Sequence, residues 1–238
     1  MPGSYSERTK RMKQIEGGVC AAKGFSAAGV YCGIRKNKSK KDLALILSEV
    51  PAACACVYTT NLVQGAPIAV TKKNVANGFA QAIVCNSGNA NTCNANGVEI
   101  AEGMCALLGK TLGIAPEDVV VASTGVIGKP MSMEPFETGI PLLPGVLGKN
   151  SAVAAEAIMT TDVKKKEIAV EFMIGGVPCK IGGIAKGSGM IQPNMATMLC
   201  FITTDVSITP AMLQKALSAD VPESFNMVSI DGDTSTND

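Results

Sequence analysis

The residues most able to do chemistry lie in one run: Lys186-Gly187-Ser188-Gly189-Met190-Ile191-Gln192-Pro193-Asn194-Met195-Ala196-Thr197. A glycine-rich loop leads through a proline into a threonine at the head of an apolar segment. A threonine hydroxyl is a weak nucleophile near neutral pH and needs an adjacent base. The chain has 238 residues and no histidine, which excludes Ser-His-Asp and Cys-His devices and leaves a carboxylate, a lysine or an α-amino group as the base. Cutting the Ala196–Thr197 bond would supply one, because Thr197 would gain an α-amino group with an ordinary pKa of ~7.7–8.0. The cut would be attack of the Thr197 hydroxyl on the Ala196 carbonyl, giving an ester that water opens. Gly187 and Gly189 would let the loop take the strained turn this requires. Two plainer readings compete on spacing alone. A phosphate cradle fails, since the dinucleotide fingerprint needs a third glycine and the nearest P-loop, at Gly148-Lys149, has Leu143 where the first glycine belongs. A plain structural loop is the commoner meaning of such a run.

Attack on a carbonyl builds negative charge on oxygen, which calls for donors already in place. Ser123-Thr124-Gly125 suits, with a hydroxyl on Thr124 and an unobstructed backbone N–H on Gly125, although a strand-ending turn explains the same residues. Met159-Thr160-Thr161-Asp162 and Asn86-Ser87-Gly88-Asn89-Ala90-Asn91 are polar clusters that ordinary helix-end and turn chemistry also accounts for.

Around these clusters the patterning alternates strands and helices. Gly17–Gly33 reads as short strands with tight turns, and 51–60 and 80–85 as short apolar strands. Ile100, Met104, Leu107 and Leu108 have helical spacing that closes at Gly113. Val119–Ala122 is a buried strand running into Thr124. Residues 151–159 form a short helix capped by Ser151. Segments 167–174 and 177–185 flank Gly175-Gly176 as a hairpin. Residues 196–204 form a further strand, and Thr209-Pro210 opens a helix to about Leu217. The stretch 139–150, with two prolines and three glycines, is the linker candidate. An α/β chain results, of the α+β or layered α/β/α kind.

A net charge of +1 and 4% aromatic residues argue against nucleic-acid binding. No apolar run is long enough for a membrane helix. Arg8, Lys10, Arg11 and Lys13 are not followed by the apolar core of a secretory signal. Nine cysteines, an odd number lying mostly in apolar stretches such as Cys54, Cys56, Cys85 and Cys200, read as reduced and buried. Their spacing lacks C-x-x-C pairs, so no metal site is expected.

From Gly17 to the last residue the chain resembles the bifunctional ornithine acetyltransferase / N-acetylglutamate synthase family of arginine biosynthesis. The likeness rests on motifs in a fixed order: Gly18-Val19-Cys20-Ala21-Ala22-Lys23-Gly24-Phe25, the 86–91 and 186–199 stretches, Ala122-Ser123-Thr124-Gly125-Val126-Ile127-Gly128, Ile158-Met159-Thr160-Thr161-Asp162, and Asp231-Gly232-Asp233-Thr234-Ser235-Thr236-Asn237-Asp238. The resemblance implies the layered fold of N-terminal nucleophile-like self-processing enzymes. It implies cleavage between Ala196 and Thr197, with 1–196 as the α chain and 197–238 as the truncated start of a β chain. Thr197 would be the nucleophile, Thr124 and Gly125 the oxyanion hole, and Thr160, Lys186 and Thr197 the substrate contacts, Lys186 facing the substrate carboxylate. N-acetylornithine would acylate Thr197 and glutamate would accept the acetyl group. Acetyl-CoA is a co-substrate in some members, and there is no cofactor or metal. Members assemble as α2β2, and a cytoplasmic location is expected. Alternatives are an amidohydrolase or aminopeptidase of the same self-processing type, or an inactive fragment that only binds ligand.

Overall fold

Four strands carry apolar side chains on both faces, the mark of a sheet covered on two sides. The computed structural model describes residues 12–191 and 198–237. Its strands are Lys13–Ile15 (β1), Phe25–Val30 (β2), Leu43–Ala53 (β3), Phe79–Asn89 (β4), Val119–Val126 (β5), Lys166–Ile174 (β6), Val177–Lys186 (β7) and Leu199–Thr204 (β8). One sheet runs β2-β3-β4-β5, antiparallel except for the parallel pair β4–β5. The other runs β1-β6-β7-β8, antiparallel throughout. The helices are Ala66–Asn74 (α1), Gly97–Leu112 (α2), Glu134–Gly139 (α3), Ser151–Ala157 (α4) and Pro210–Asp220 (α5).

The period-2 alternation sorts residues between two cores. Leu43, Leu45, Val84, Val119 and Val121 face Ile100, Met104 and Leu108 of α2 and Phe136 of α3. Their neighbours Ala44, Ile46, Cys85 and Ala122 face Ala154 and Ala155 of α4 together with Ile184 and Phe201 of the second sheet. Small residues on α4 let it lie close between the sheets. The result is the layered α/β arrangement that the patterning predicts.

The hairpin is present, with β6 and β7 joined through Gly175 and Gly176 at φ 56° and 82°, values that favour glycine. Thr209 caps α5, its side-chain oxygen accepting from the Met212 N–H at 3.4 Å. Three expectations change. The 51–60 run is strand only to Ala53, because Cys54 leaves the ladder to bond Gly78 O instead. Ser151 is the first residue of α4 rather than its cap, and its hydroxyl accepts from Val19 N–H at 3.0 Å. The 139–150 stretch is no linker: Ile140 and Leu143 are fully buried in the core beneath α2. Among the described residues no helix is long and apolar enough to cross a membrane.

Candidate active site

Strands β4 and β5 end side by side, with Ser87 opposite Thr124 and Gly88 opposite Gly125. The ladder slips there, Asn89 pairing with both Thr124 and Val126. At Gly125 φ is +132°, and a Cβ would lie 2.4 Å from Gly88 C. Only glycine lets the two strand ends close up at this point.

Thr124 and Lys186 are both buried, at 3% and 2% exposure. Lys186 closes β7 in the second sheet, yet its Nζ donates to Thr124 Oγ1 at 3.2 Å. A buried ammonium persists only where hydrogen-bond acceptors meet it. The lysine occupies one lone pair of the hydroxyl, so the Thr124 proton can point elsewhere as a donor. Cys85 lies within electrostatic reach of the same lysine. Burial pushes its thiol up to about 12 despite that cation, so it is no nucleophile at neutral pH.

The Lys186 end of β7 is held by Asp162. Its Oδ1 accepts from Gly187 N–H at 2.7 Å and from Lys166 Nζ at 2.5 Å, and its Oδ2 accepts from Thr160 N–H at 3.2 Å. Burial alone would raise this carboxyl; the Lys166, Gly187 and Thr160 bonds outweigh it and hold the pKa below the usual range. One carboxylate thus joins the Thr160 backbone to Gly187, the residue after Lys186. Thr160 also lines a cavity of about 460 Å³ in which the cations Arg35, Lys40, Lys164 and Lys165 outnumber the carboxylates Glu156 and Asp162, a balance that favours carboxylate ligands.

Sequence reasoning missed Arg35 and Asp42. Asp42 is fully buried ahead of β3, accepting from Cys32 N–H at 2.6 Å and Arg35 N–H at 2.9 Å. Arg35 Nε then donates to Ser87 Oγ at 3.2 Å, beside Thr124 in the ladder. Burial lowers the guanidinium pKa against the raising pull of Asp42 and Asp162. The available signal was an acidic residue directly before an apolar strand, which needs buried donors.

The polar motif 231–237 folds back into this region. Asn237 Nδ2 donates to Ser123 O at 3.0 Å and Ala90 O at 2.5 Å, while Oδ1 accepts from Thr92 Oγ1 at 2.5 Å. Asp231 accepts from Met190 N–H at 2.5 Å and Ile191 N–H at 2.7 Å. Met190 has a φ of +57°, so these bonds hold a backbone that is unusual for a side-chain-bearing residue. Thr124, Gly125 and Lys186 are therefore brought together, with Thr160 one carboxylate away. Ala196 and Thr197 lie outside the described residues.

Residues 26–238 match the model of the ArgJ family. The chain belongs to the ArgJ family. This ArgJ chain is 50% identical over 230 residues to the arginine biosynthesis bifunctional protein ArgJ of Symbiobacterium thermophilum, a match covering 95% of the chain and 57% of that relative. It spans about half the length of the curated relatives it matches. Among solved structures, the arginine biosynthesis bifunctional protein ArgJ of Bacillus halodurans is similar at a TM-score of 0.73 and 39% identity, covering 79% of this chain and 98% of that one. The ornithine acetyltransferase of Mycobacterium tuberculosis, solved with ornithine, matches at a TM-score of 0.70 and 30% identity, over 79% of this chain and 100% of that one. An L-aminopeptidase D-Ala-esterase/amidase of Ochrobactrum anthropi, a variant of the Ntn hydrolase fold, shares the fold at 13% identity and a TM-score of 0.52.

Proposed function

We propose that this ArgJ chain carries most of the catalytic centre of an acetyltransferase of arginine biosynthesis that moves an acetyl group from N-acetylornithine to glutamate. Thr197 is the nucleophile, released by cleavage after Ala196, so that 1–196 becomes an α chain and 197 onward a β chain, assembling as α2β2 in the cytoplasm. The observation that carries the reading is the reach of Lys186 to Thr124 across the two sheets. Leu199, two residues after Thr197, pairs with Lys186 in the same ladder.

The steps follow from the donors present. The Thr197 hydroxyl attacks the acetyl carbonyl while its α-amine takes the proton. Thr124 O–H and Gly125 N–H hold the developing oxyanion, and Lys186 polarises Thr124 and meets the substrate carboxylate with Thr160 close by. Collapse returns the proton to the departing ornithine amine and leaves acetyl-Thr197. The glutamate amine reverses the sequence. Acetyl-CoA can enter as an alternative donor at the first step, and no cofactor is required.

The short solved relatives also support the cut: each is matched almost end to end by 79% of this chain, while the curated relatives are far longer. The test is intact mass of the full-length protein. Two pieces divided before Thr197 are expected, and Thr197→Ala stays whole. Supplied with N-acetylornithine and glutamate, the mature enzyme yields acetylglutamate; release of acetate alone would make it a hydrolase. An uncut, fully active wild type would overturn the mechanism.

A further inference from the structure

Away from Thr124 and Lys186, the segment that leaves β3 lines a separate cavity of about 400 Å³ with Cys54, Cys56, Tyr58, Lys72 and, from α5, Gln214. The Cys54 and Cys56 sulfurs are 3.9 Å apart, and both residues are half-buried. Gln214 Oε1 holds the Cys56 N–H at 3.2 Å, and the Lys72 ammonium sits 4.9 Å over the Tyr58 ring. Among the described residues, the Tyr58 hydroxyl is the one buried side-chain oxygen or nitrogen without a hydrogen-bond partner. A cavity that holds two facing thiols and an unspent O–H donor has the parts of a thiol oxidation site.

We propose that Cys54 and Cys56 form a peroxide-oxidisable dithiol, one sulfur attacking and the other resolving, with Tyr58 as the donor to the reacting oxygen. This reading is independent of the acetyltransferase assignment. The Cys56 thiolate attacks one oxygen of a hydroperoxide; an S–O bond forms, the O–O bond breaks, and the departing oxygen leaves as an alcohol, or as water, with a proton from solvent. Cys54 sulfur then attacks the sulfenic sulfur of Cys56. An S–S bond forms, the S–O bond breaks, and the hydroxide leaves as water with the Cys54 proton. Two thiols lose two electrons and the peroxide gains them.

The order of roles follows from the surroundings. A hydrogen bond from Cys54 lowers the Cys56 pKa, and burial opposes it. Cys54 and Tyr58 are pushed up in turn, Cys54 mainly by its bond to Cys56 and Tyr58 mainly by burial. Thiolate character therefore concentrates on Cys56. Closing from 3.9 Å to a disulfide of ~2.05 Å needs only a small movement, and residues 54–60 belong to no strand or helix.

The experiment uses the full chain with hydrogen peroxide at neutral pH, and exposed Cys93 as the internal reference. Denatured thiol titration should show two of the nine thiols lost, peptide mapping should join Cys54 to Cys56, and dithiothreitol should restore both. In Cys54→Ser a sulfenic acid should persist at Cys56 and be trapped by dimedone, at least about tenfold faster than at Cys93. Loss mapping to other cysteines, or equal labelling of Cys56 and Cys93, overturns the proposal. The wild-type mapping decides the pairing even if a variant folds poorly.

Discussion

Lys186 ends β7 and Thr124 lies near the end of β5 in the other sheet, and the lysine ammonium donates to the threonine hydroxyl at 3.2 Å where both are buried. The bond ties the two layers together where Thr124, Gly125 and Lys186 meet. It also orients the hydroxyl, since an oxygen that accepts from lysine has its own proton left to donate elsewhere.

Replacing Thr124 with valine keeps the shape and removes that donor. Acetyl transfer and self-cleavage should both slow by about 10²–10³-fold, the usual cost of one oxyanion donor. Steady-state kinetics and a cleavage time course give the two rates, with circular dichroism as the check on folding. Unchanged rates would remove Thr124 from the mechanism.

Gly125→Ala meets a harder obstacle. Its Cβ would lie 2.4 Å from Gly88 C at a φ of +132°, and the backbone of a paired strand cannot step aside. A loss of more than about 2 kcal/mol in urea unfolding is expected. An unfolding midpoint equal to wild type would show that the β4–β5 ends relax easily.

Asp162→Asn should show its effect through pH. The folded carboxyl is held low by Lys166 and two backbone N–H groups in spite of burial. A depressed folded pKa means that the stabilisation is complete above the unfolded value, about 3.9, and is lost as pH falls through the folded one. The urea midpoints of wild type and Asp162→Asn should therefore differ most near pH 6 and draw together as the pH is lowered through the depressed folded value. A gap that stays constant over this range would mean the charge of Asp162 contributes nothing.

Asn237→Ala would strip Ser123 O, Ala90 O and Thr92 Oγ1 of a shared partner. Stability should fall by about 1–3 kcal/mol, the cost of buried polar groups left unpaired. Activity should drop further than in a surface variant such as Lys110→Ala, because the residue after Ser123 is Thr124. Equal activity in both variants would show that the 231–237 motif is a tether only.

Much of the scaffold was legible in the chain because it depends on local signals. Glycines at 175 and 176 specify a hairpin, Thr209-Pro210 a helix start, and the spacing of Ile100, Met104 and Leu108 a buried helix face. The 139–150 stretch misled because proline and glycine mark turns without saying whether a turn is buried. Ile140 and Leu143 settle that only once α2 lies above them. Ser151 likewise had the right type for a cap, but Val19, distant in sequence, takes its hydroxyl.

The sequence by itself determined the chemistry on offer: no imidazole, one threonine behind a glycine-rich loop, and motifs whose order resembles a self-processing acetyltransferase. Only the tertiary structure decided which of those residues meet. Lys186 reaches Thr124, Asp162 bridges Thr160 to Gly187, and Asn237 returns to Ser123, contacts separated by long stretches of chain. Local propensity acts over a few residues, whereas such contacts form when two sheets bury their inner faces against α4 and every polar group caught between them must find a partner.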